Sequence, residues 1–406
     1  MNDVVFYEQP SKYIVESTEY DDKYTTPVLT PGKSFILGYT KETKGVFTNI
    51  PTIIFDDFTT ESKYVDFVFK VKSSAMKILN CSNLINIKFI YYLLQVINID
   101  TTTHKRHWLS NYEYMIIPIP CKKIQDKIVN RLESLFDRVN EIDDHYNRID
   151  RLKSVLKSKI IDLAIKGELT KQLSTDEPSS KLIENIIEEK HKLMAEGKIK
   201  KENLSIIYKD SDNQFYEKFD DGKSINITNS IPFKLPENWR WTRLNALLSV
   251  KGGKRIPKGS SFSKNITKHI YIRVSDMKNN TITKQDIKYI SDDIFDKIKN
   301  YTISKKDLYL TIAGTIGKVG IVPDFFDNMN LTENAVKLTN IEPIEKKYLM
   351  YCINSDFVQS QFTDKTTQVA QPKLAIKRIE TTLIPLPPLE EQKRMVFQLQ
   401  QLLNIL

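Results

Sequence analysis

The chain has 406 residues, 40% of them hydrophobic and 27% charged, a composition typical of soluble globular proteins. This length predicts two or three domains, and no apolar run of about 18 residues predicts a membrane-spanning helix. The formal net charge of +9 favours a polyanionic partner, although Lys-rich chains also occur among proteins that bind no nucleic acid. The first residues do not have the pattern of a signal peptide, and the three widely spaced cysteines predict reduced thiols in a cytoplasmic protein.

Short β-type segments predict a β-rich domain over residues 1–120. An apolar helix near 86–97 and an extended segment with two prolines follow them. The β-type segments are GKSFILGY (32–39), KGVFTN (44–49), PTIIFDDF (51–58) and YVDFVFKV (64–71). Asp56 or Asp57 followed by Glu61-Ser62-Lys63 is similar to the acidic and Glu-x-Lys residues of metal-dependent nucleases, but the spacing is too short for such a site.

A long helix is predicted next, from about Lys122 to Lys166, with Gly167 as its stop. It would be roughly 65 Å long, and its apolar residues follow one another at steps of four and three, as in a coiled coil. The predicted core positions are Ile128, Leu132, Leu135, Val139, Ile142, Tyr146, Ile149, Leu156, Ile160 and Leu163. The helix belongs to a central helical region over 121–208, and a polar linker is predicted over 209–231.

A second β-rich domain is predicted over residues 232–388. Its β-type segments are HIYIRVSD (269–276), IKYIS (287–291), DLYLTIAG (307–314) and VGIVP (319–323). A short helix over 389–406 ends the chain. It continues the heptad pattern at Met395, Leu399, Leu402 and Leu406.

The two halves contain an internal repeat at an offset of 267 residues. IPIPCKKIQDKIVNRLESLF (117–136) aligns with IPLPPLEEQKRMVFQLQQLL (384–403), and Gln125 aligns with Gln392. In each copy two prolines end an extended segment, because proline donates no backbone hydrogen bond and disfavours a helical predecessor. A long helix with a continuous apolar seam needs a partner, so we predict that the two copies pair as an antiparallel coiled coil with pseudo-twofold symmetry.

No catalytic motif accompanies this repeat. The segment 314–319 lacks the spacing of a phosphate-binding loop, and the chain has no GxGxxG, GxSxG or HExxH sequence. The histidines His104 and His107 are close in sequence, and their Lys- and Arg-rich surroundings are typical of a basic surface rather than a metal site. The sequence therefore favours recognition over catalysis.

The combined pattern resembles the specificity (S) subunits of type I restriction–modification systems, the HsdS family. Besides the repeat and PLPPLEEQ (385–392), the resemblance rests on IPFKLPENWRWTRLNALL (231–248), DLYLTIAGTIGKVGIV (307–322) and DLAIKGELTKQ (162–172). It implies an α+β fold in which two β-rich target recognition domains are separated by long antiparallel coiled-coil helices in a pseudo-twofold repeat.

The resemblance also implies a non-catalytic subunit that binds a bipartite double-stranded DNA target and docks two methyltransferase (M) subunits and one restriction (R) subunit in phage defence. No cofactor is expected in this chain; S-adenosylmethionine, ATP and magnesium would belong to the partner subunits, and no membrane is involved. Loop side chains that suit phosphates or base edges are the candidate DNA contacts. They are Lys251, Lys254, Arg255, Lys258, Arg273, Gln368, Gln371 and Lys373 in the second domain and His104, Lys105 and Arg106 in the first.

Two departures from the family pattern concern the ends of the chain. If GKSFILGY corresponds to DLYLTIAG, the first domain lacks roughly 40 residues of its first strands, and the last helix stops roughly 27 residues before its counterpart. The sequence leaves open a fragment, a phase-varying recombinant and a form completed by another polypeptide. Two other functions stay open: a coiled-coil scaffold that binds proteins without recognising DNA, and the specificity part of a fused restriction enzyme.

Overall fold

The computed structural model describes residues 1–30, 34–99, 106–341, 343–363 and 373–406. The chain divides into two compact units, Met1–Arg148 and Ile149–Leu406, and both mix helices with strands. No helix in the described ranges is long and apolar enough to cross a membrane.

Unit 1 is built on a four-stranded antiparallel sheet covered by one helix. Phe55, Leu79, Ile90 and Trp108 form the centre of its core. A second, three-stranded sheet has the order β3-β2-β6. The elements are β1 (Val5–Glu8), β2 (Thr26–Leu29), β3 (Ile36–Thr40), β4 (Thr52–Asp56), β5 (Ser62–Val65), β6 (Lys70–Val71), β7 (Met76–Cys81), α1 (Ile87–Val96) and α2 (Lys122–Ile165), whose last residues belong to unit 2.

Unit 2 contains several small sheets around a larger core. This core joins the end of α2 to the last helix and to the largest sheet of the unit. The elements are α3 (Ser179–Ala195), β8 (Ser205–Lys209), β9 (Phe215–Phe219), β10 (Ser224–Asn226), β11 (Arg240–Arg243), α4 (Leu244–Leu247), β12 (Leu248–Gly252), β13 (Tyr271–Ile272), β14 (Met277–Lys278), β15 (Thr281–Ile282), α5 (Asp292–Ile298), β16 (Thr302–Ile303), β17 (Leu308–Thr311), β18 (Val319–Ile321), β19 (Met329–Leu331), β20 (Ala335–Asn340), α6 (Lys346–Asn354), α7 (Asp356–Phe362), α8 (Ile376–Glu380), β21 (Leu383–Leu386) and α9 (Leu389–Ile405).

The two units share one sheet topology. Unit 1 has the strand order β1-β7-β4-β5, unit 2 has β12-β20-β17-β18, and every pair in both sheets is antiparallel. In both sheets the strand order follows the same path along the chain, and each is followed by an apolar helix, α1 or α6. The structure therefore supports the duplication that the sequence predicts.

The correspondence of strands differs from the one that the sequence indicates. DLYLTIAG contains β17, whose counterpart in unit 1 is β4 in PTIIFDDF and not β3 in GKSFILGY. Both segments are short runs of apolar residues, so hydrophobic periodicity could not distinguish them, whereas the order of strands in the sheets does. With this correspondence β1 is the counterpart of β12.

A buried glutamine holds the start of the long helix in each unit. The Gln125 amide nitrogen donates to the Pro120 carbonyl oxygen at 2.8 Å, and its amide oxygen accepts from the Asn86 backbone N–H at 2.8 Å. The Gln392 side chain donates to the Pro387 carbonyl oxygen at 2.9 Å and accepts from the Glu345 N–H at 3.0 Å. Asn86 and Glu345 are the N-cap residues of α1 and α6, so the two glutamines make equivalent links.

The long helix that the heptad pattern predicts is present as α2, and its last residues share the core of unit 2 with α9. The helix has 44 residues and α9 has 17, so α9 could cover less than half of its length. Met395 and Leu399 of α9 are buried in the core of unit 2. The seam of α2 is exposed at Ile128, Leu135, Val139, Ile142, Tyr146, Ile149 and Leu156. Leu132, Ile160 and Leu163 are half-buried, and Leu402 is exposed whereas Leu406 is half-buried.

The segment 209–231, which was predicted as a polar linker, contains the strands β9 and β10. It contributes to the antiparallel sheet β10-β9-β8, in which every strand pairs with its neighbour in sequence. Glu217 of this sheet is buried and forms an ion pair with Arg243 of β11, with 2.7 Å between Nη2 and Oε2. Ile207 and Trp241 share a hydrophobic cluster, which fixes the sheet against the second domain.

Candidate nucleic-acid interface

The basic loop that follows β12 is positioned by a tight crossing, the close approach of the Gly253 backbone to the backbone of Leu331 and Thr332. Gly253 lies against the turn between β19 and β20, where an added Cβ would collide with the carbonyl oxygens of Leu331 and Thr332. The Lys254 N–H donates to the Leu331 carbonyl oxygen at 2.9 Å. Glycine is needed here because of this close approach, which places Lys254 and Arg255 beside the turn.

Glu333 in that turn contacts two of the predicted residues, Arg255 and Lys373, and also Tyr271. Its Oε1 lies 2.6 Å from Nε of Arg255, and the Tyr271 hydroxyl lies 3.3 Å from Oε2. The Lys373 ammonium donates to the Glu333 carbonyl oxygen at 3.2 Å. Burial alone would raise the pKa of Glu333, but its hydrogen bond with the Arg255 guanidinium holds that pKa below the usual value. Since the Arg255 side chain is 76% exposed, most of its guanidinium is accessible to an incoming anion.

Three further predicted lysines of the second domain, Lys251, Lys254 and Lys258, are exposed. Lys251 is exposed on β12 opposite Lys337 of β20, and Lys258 is exposed in the turn after the basic loop. The Lys254 ammonium lies 5.5 Å from the centre of the Tyr301 ring. Lys251, Lys254, Arg255, Lys258 and Lys373 thus lie in or beside the loops at one end of the β12-β20-β17-β18 sheet.

Arg273 has a different environment. Its Nη2 lies 2.7 Å from Oδ1 of Asp276 and 3.1 Å from Oδ2 of Asp286, and its side chain is largely buried. Hydrogen bonds to Asp276 raise the pKa of the guanidinium further. These two carboxylates occupy the donors that a base or phosphate would need, so Arg273 organises the loop rather than belonging to the exposed group.

The structure places Arg106 of unit 1 where unit 2 has Lys373. The residue after Lys373, Leu374, donates its N–H to the Ile312 carbonyl oxygen at 2.8 Å. The residue after Arg106, His107, donates to the Asp57 carbonyl oxygen, also at 2.8 Å. Asp57 follows β4 as Ile312 follows β17. Each unit therefore has one exposed cationic side chain at the equivalent position, Arg106 in unit 1 and Lys373 in unit 2. The predicted residues His104, Lys105, Gln368 and Gln371 lie outside the described residues.

A buried ion pair lies beneath Arg106. The Lys77 ammonium on β7 is 3.7 Å from Oδ2 of Asp57, whose other oxygen accepts the Trp108 N–H at 2.9 Å. Burial lowers the pKa of Lys77, and the nearby Arg106 lowers it further. Sequence reasoning missed Lys77 and Glu333 because a charged residue inside an apolar strand or a turn shows no periodicity of its own.

In the nuclease-like fragment, Asp56 and Asp57 have structural roles. Oδ1 of Asp56 accepts the Phe58 N–H at 2.8 Å and closes the turn after β4, and Asp57 holds Lys77 and Trp108. Over the described ranges, no group of three or more His, Cys, Asp or Glu side chains is arranged to hold a metal ion.

Comparison with known proteins gives a consistent picture. Residues 236–406 match the family described as the type I restriction modification DNA specificity domain. The chain is 42% identical over 205 residues to the EcoR124I/EcoR124II specificity subunit of Escherichia coli, an alignment that covers 45% of this chain and 50% of that protein. It is 24% identical over 281 residues to the EcoAI specificity subunit of the same organism, covering 67% of this chain and 44% of that one. The alignments thus span about half of each relative.

A solved chain from work on complex assembly and conformational transition of the type I restriction–modification system has the same fold. It superposes with a TM-score of 0.55 at 15% identity, over 99% of this chain and 90% of that chain, a likeness that concerns the fold alone. In its matched domain and its aligned relatives, the chain is similar to the specificity subunits of type I restriction–modification systems, the HsdS family.

Proposed function

We propose that this chain recognises a bipartite double-stranded DNA target for a type I restriction–modification complex and has no catalytic activity of its own. The observation that carries the proposal is the equivalence of Arg106 and Lys373. In a duplicated protein, one cation at the same place in each unit is what two similar DNA half-sites require. Side chains on loops beside these cations would contact base edges, while the cations themselves suit phosphates.

The exposed residues around Lys373 support a contact with DNA. Lys254, Arg255 and Lys258 follow the tight crossing at Gly253, so the backbone that carries them is fixed. A preformed group of cations binds the phosphate backbone by displacing counterions, and its affinity falls steeply with salt. Glu333 orients Arg255 without covering most of its guanidinium.

The proposed docking surface for the M subunits is the exposed seam of α2. Its apolar positions from Ile128 to Leu156 recur at heptad spacing, and Ile142 near the middle is 52% exposed. An apolar stripe of this length on a charged helix is typical of a protein-binding surface. The R subunit would join the complex thus formed, and S-adenosylmethionine, ATP and magnesium would be bound by the M and R subunits.

The decisive experiment is co-expression of the chain with an M subunit of a type I system, followed by mapping of methylated adenines by single-molecule sequencing. We expect a split motif that disappears when this chain is omitted. Replacing Lys373 with Ala should weaken methylation of that motif, whereas the matched substitution Lys198→Ala, at an exposed lysine after α3, should not. Methylation that does not depend on the chain would contradict the proposal and favour a scaffold without DNA recognition.

The salt dependence of DNA binding tests the role of each cation. If Lys373 and Arg106 contact phosphates, each replacement by Ala should weaken binding to all sequences and reduce the slope of log K against log salt by about 1. If either contacts a base, its loss should cost about 1–3 kcal/mol and relax one position of the motif.

A further inference from the structure

Arg255 differs from the lysines around it because a carboxylate lies at its side. Its Nε is 2.6 Å from Oε1 of Glu333, although its side chain is 76% exposed. Lys251, Lys254 and Lys258 are also exposed, and among the described residues none of them forms an ion pair with an acidic side chain. This surface therefore carries two kinds of cation: lysines whose charge is not balanced, and one arginine whose charge Glu333 balances.

Glu333 is itself held in place by buried hydroxyl groups. Its Oε2 lies 3.1 Å from the Thr332 hydroxyl and 3.3 Å from the Tyr271 hydroxyl. Tyr271 is buried, and its hydroxyl also lies 3.0 Å from the Lys254 carbonyl oxygen. One carboxylate oxygen thus contacts the hydroxyls, and the other accepts from Arg255. A carboxylate held at both oxygens fixes the direction of the planar guanidinium that it contacts.

The backbone before Arg255 is fixed as well. The Gly253 N–H donates to the Ala335 carbonyl oxygen at 3.0 Å, and the Lys254 N–H donates to the Leu331 carbonyl oxygen at 2.9 Å. The arginine is therefore anchored through its backbone and through its Nε. A side chain that is ordered before it meets a ligand loses less conformational entropy on binding, so Arg255 is preorganised.

The contact with Glu333 leaves one edge of the guanidinium available. Arginine has five N–H groups in a rigid plane, and Glu333 accepts from the Nε–H alone. Nη1 and Nη2 of Arg255 form no hydrogen bond within the described parts of the chain. These two nitrogens offer a pair of donors on one edge. The O6 and N7 acceptors of guanine in the major groove match such a pair, whereas adenine has an amino donor where guanine has O6.

The charge of Glu333 decides between a base and a phosphate as the ligand. Burial alone would raise the pKa of Glu333, but the hydrogen bond from Arg255 holds that pKa below the usual value, so the carboxylate is ionised at neutral pH. Its negative charge offsets the attraction of Arg255 for an anion. A base edge carries no net charge, so its hydrogen bonds to Nη1 and Nη2 are not opposed in this way. The pair therefore favours a base, and the unbalanced lysines favour phosphates.

We propose that Arg255 recognises one guanine of the DNA target through Nη1 and Nη2. Glu333 is its positioning residue, because it orients the guanidinium and lowers its attraction for phosphates. This inference rests on the proposed function in DNA recognition, and it assigns one base of one half-site to unit 2. The neighbouring lysines keep the role of phosphate contacts.

The test uses the complex of the chain with an M subunit and DNA duplexes that carry the motif mapped by methylation sequencing. Each guanine of the motif is replaced in turn by 7-deazaguanine, which keeps O6 but lacks the N7 acceptor. We expect one guanine at which this replacement weakens binding about tenfold. With the Arg255→Ala chain the same replacement should have no further effect, because the donor to N7 is already absent.

A conservative variant separates base recognition from charge. Arg255→Lys keeps the positive charge but lacks a planar edge with two donors. In methylation mapping it should admit other bases at the same guanine and leave the rest of the motif unchanged. Lys198→Ala, at an exposed lysine after α3, is the control and should change neither the motif nor the response to 7-deazaguanine.

The positioning role of Glu333 has its own readout. Glu333→Gln keeps an acceptor for the Nε–H of Arg255 but removes the negative charge. It should strengthen binding to unrelated DNA sequences and steepen the slope of log K against log salt by about 1, because the charge of Arg255 is then no longer balanced. A residue with a purely structural role would not change this slope.

Four results would overturn the inference. They are a mapped motif without a G·C pair, 7-deazaguanine effects that are the same with Arg255 and with Arg255→Ala at every guanine, a uniform loss of binding in Arg255→Ala that Arg255→Lys restores, and a salt slope that Glu333→Gln leaves unchanged. In each case the native chain still directs methylation of a split motif, so the proposed function stands. A native chain that directs no methylation would contradict both.

Discussion

Removing the side chain of Gln392 should destabilise unit 2 through two backbone groups rather than through lost apolar contact. The Gln392→Ala change leaves the Pro387 carbonyl oxygen and the Glu345 N–H, both now bonded to its amide, without these partners at a fully buried position. Each unsatisfied buried group costs about 1–3 kcal/mol, and the cavity adds to this, so we expect a loss of about 3–5 kcal/mol in the free energy of unfolding. Gln125→Ala should have an effect of similar size on unit 1, because its two hydrogen bonds are equivalent.

The measurement is chemical denaturation combined with hydrogen exchange, which shows which unit has lost stability. Gln401→Ala is the matched control, since Gln401 is an exposed glutamine in the same helix and should change stability by less than about 0.5 kcal/mol. Gln392→Glu keeps an acceptor for the Glu345 N–H but cannot donate when ionised, so it should also destabilise the unit. Equal stability of Gln392→Ala and Gln401→Ala would refute the reasoning, as would a loss of protection spread equally over both units.

Three further substitutions test other parts of the structure. Gly253→Ala should cost about 1–3 kcal/mol by thermal denaturation, because its Cβ would collide with the Leu331 carbonyl; unchanged stability would contradict the tight crossing. Burial alone would raise the pKa of Glu217, but hydrogen bonds from Arg243 lower it below the usual value, so its stabilisation is present above about pH 4.3 and is lost as pH falls through the lowered pKa. The stability difference between the protein and its Glu217→Gln variant should therefore narrow in acid; a difference that widens would refute this assignment. Ile142→Asp should alter the unfolding free energy of the isolated chain by less than about 0.5 kcal/mol, whereas a covered coiled-coil core would lose several times more.

The duplication could be predicted because its signals are local. Two prolines ending an extended segment and a glutamine five residues after the second proline are visible in the sequence, and in the structure Gln125 and Gln392 make the same two hydrogen bonds. The helix bounds were also close, since α2 begins at Lys122 and ends at Ile165. Capping and proline effects act over a few residues, so a single sequence contains them in full.

Long-range relations could not be predicted in the same way. Strands β3 and β4 are both short and apolar, and only their neighbours in the sheets show that β4 is the counterpart of β17. The sheet β10-β9-β8 could not be predicted from the sequence because its strands are rich in polar residues. The contacts that hold it to the second domain, the Glu217–Arg243 ion pair and the Ile207–Trp241 cluster, also join residues far apart in sequence. A heptad pattern likewise predicts that a helix has a partner but does not say which chain supplies it.

The equivalence of Arg106 and Lys373 illustrates where sequence reasoning ends. The residues that fix them, His107 and Leu374, are unlike, and so are Asp57 and Ile312, to whose carbonyl oxygens they donate. Backbone hydrogen bonds fix the positions of the two cations, and such bonds place no constraint on the side chains of the residues that form them. Each unit can therefore change the residues beside its cation without losing the position of the cation itself. If Arg106 and Lys373 contact DNA phosphates as proposed, this separation would let base-contacting residues vary while the phosphate contacts keep their place, and Arg106→Lys and Lys373→Arg should accordingly retain most of the binding that alanine removes.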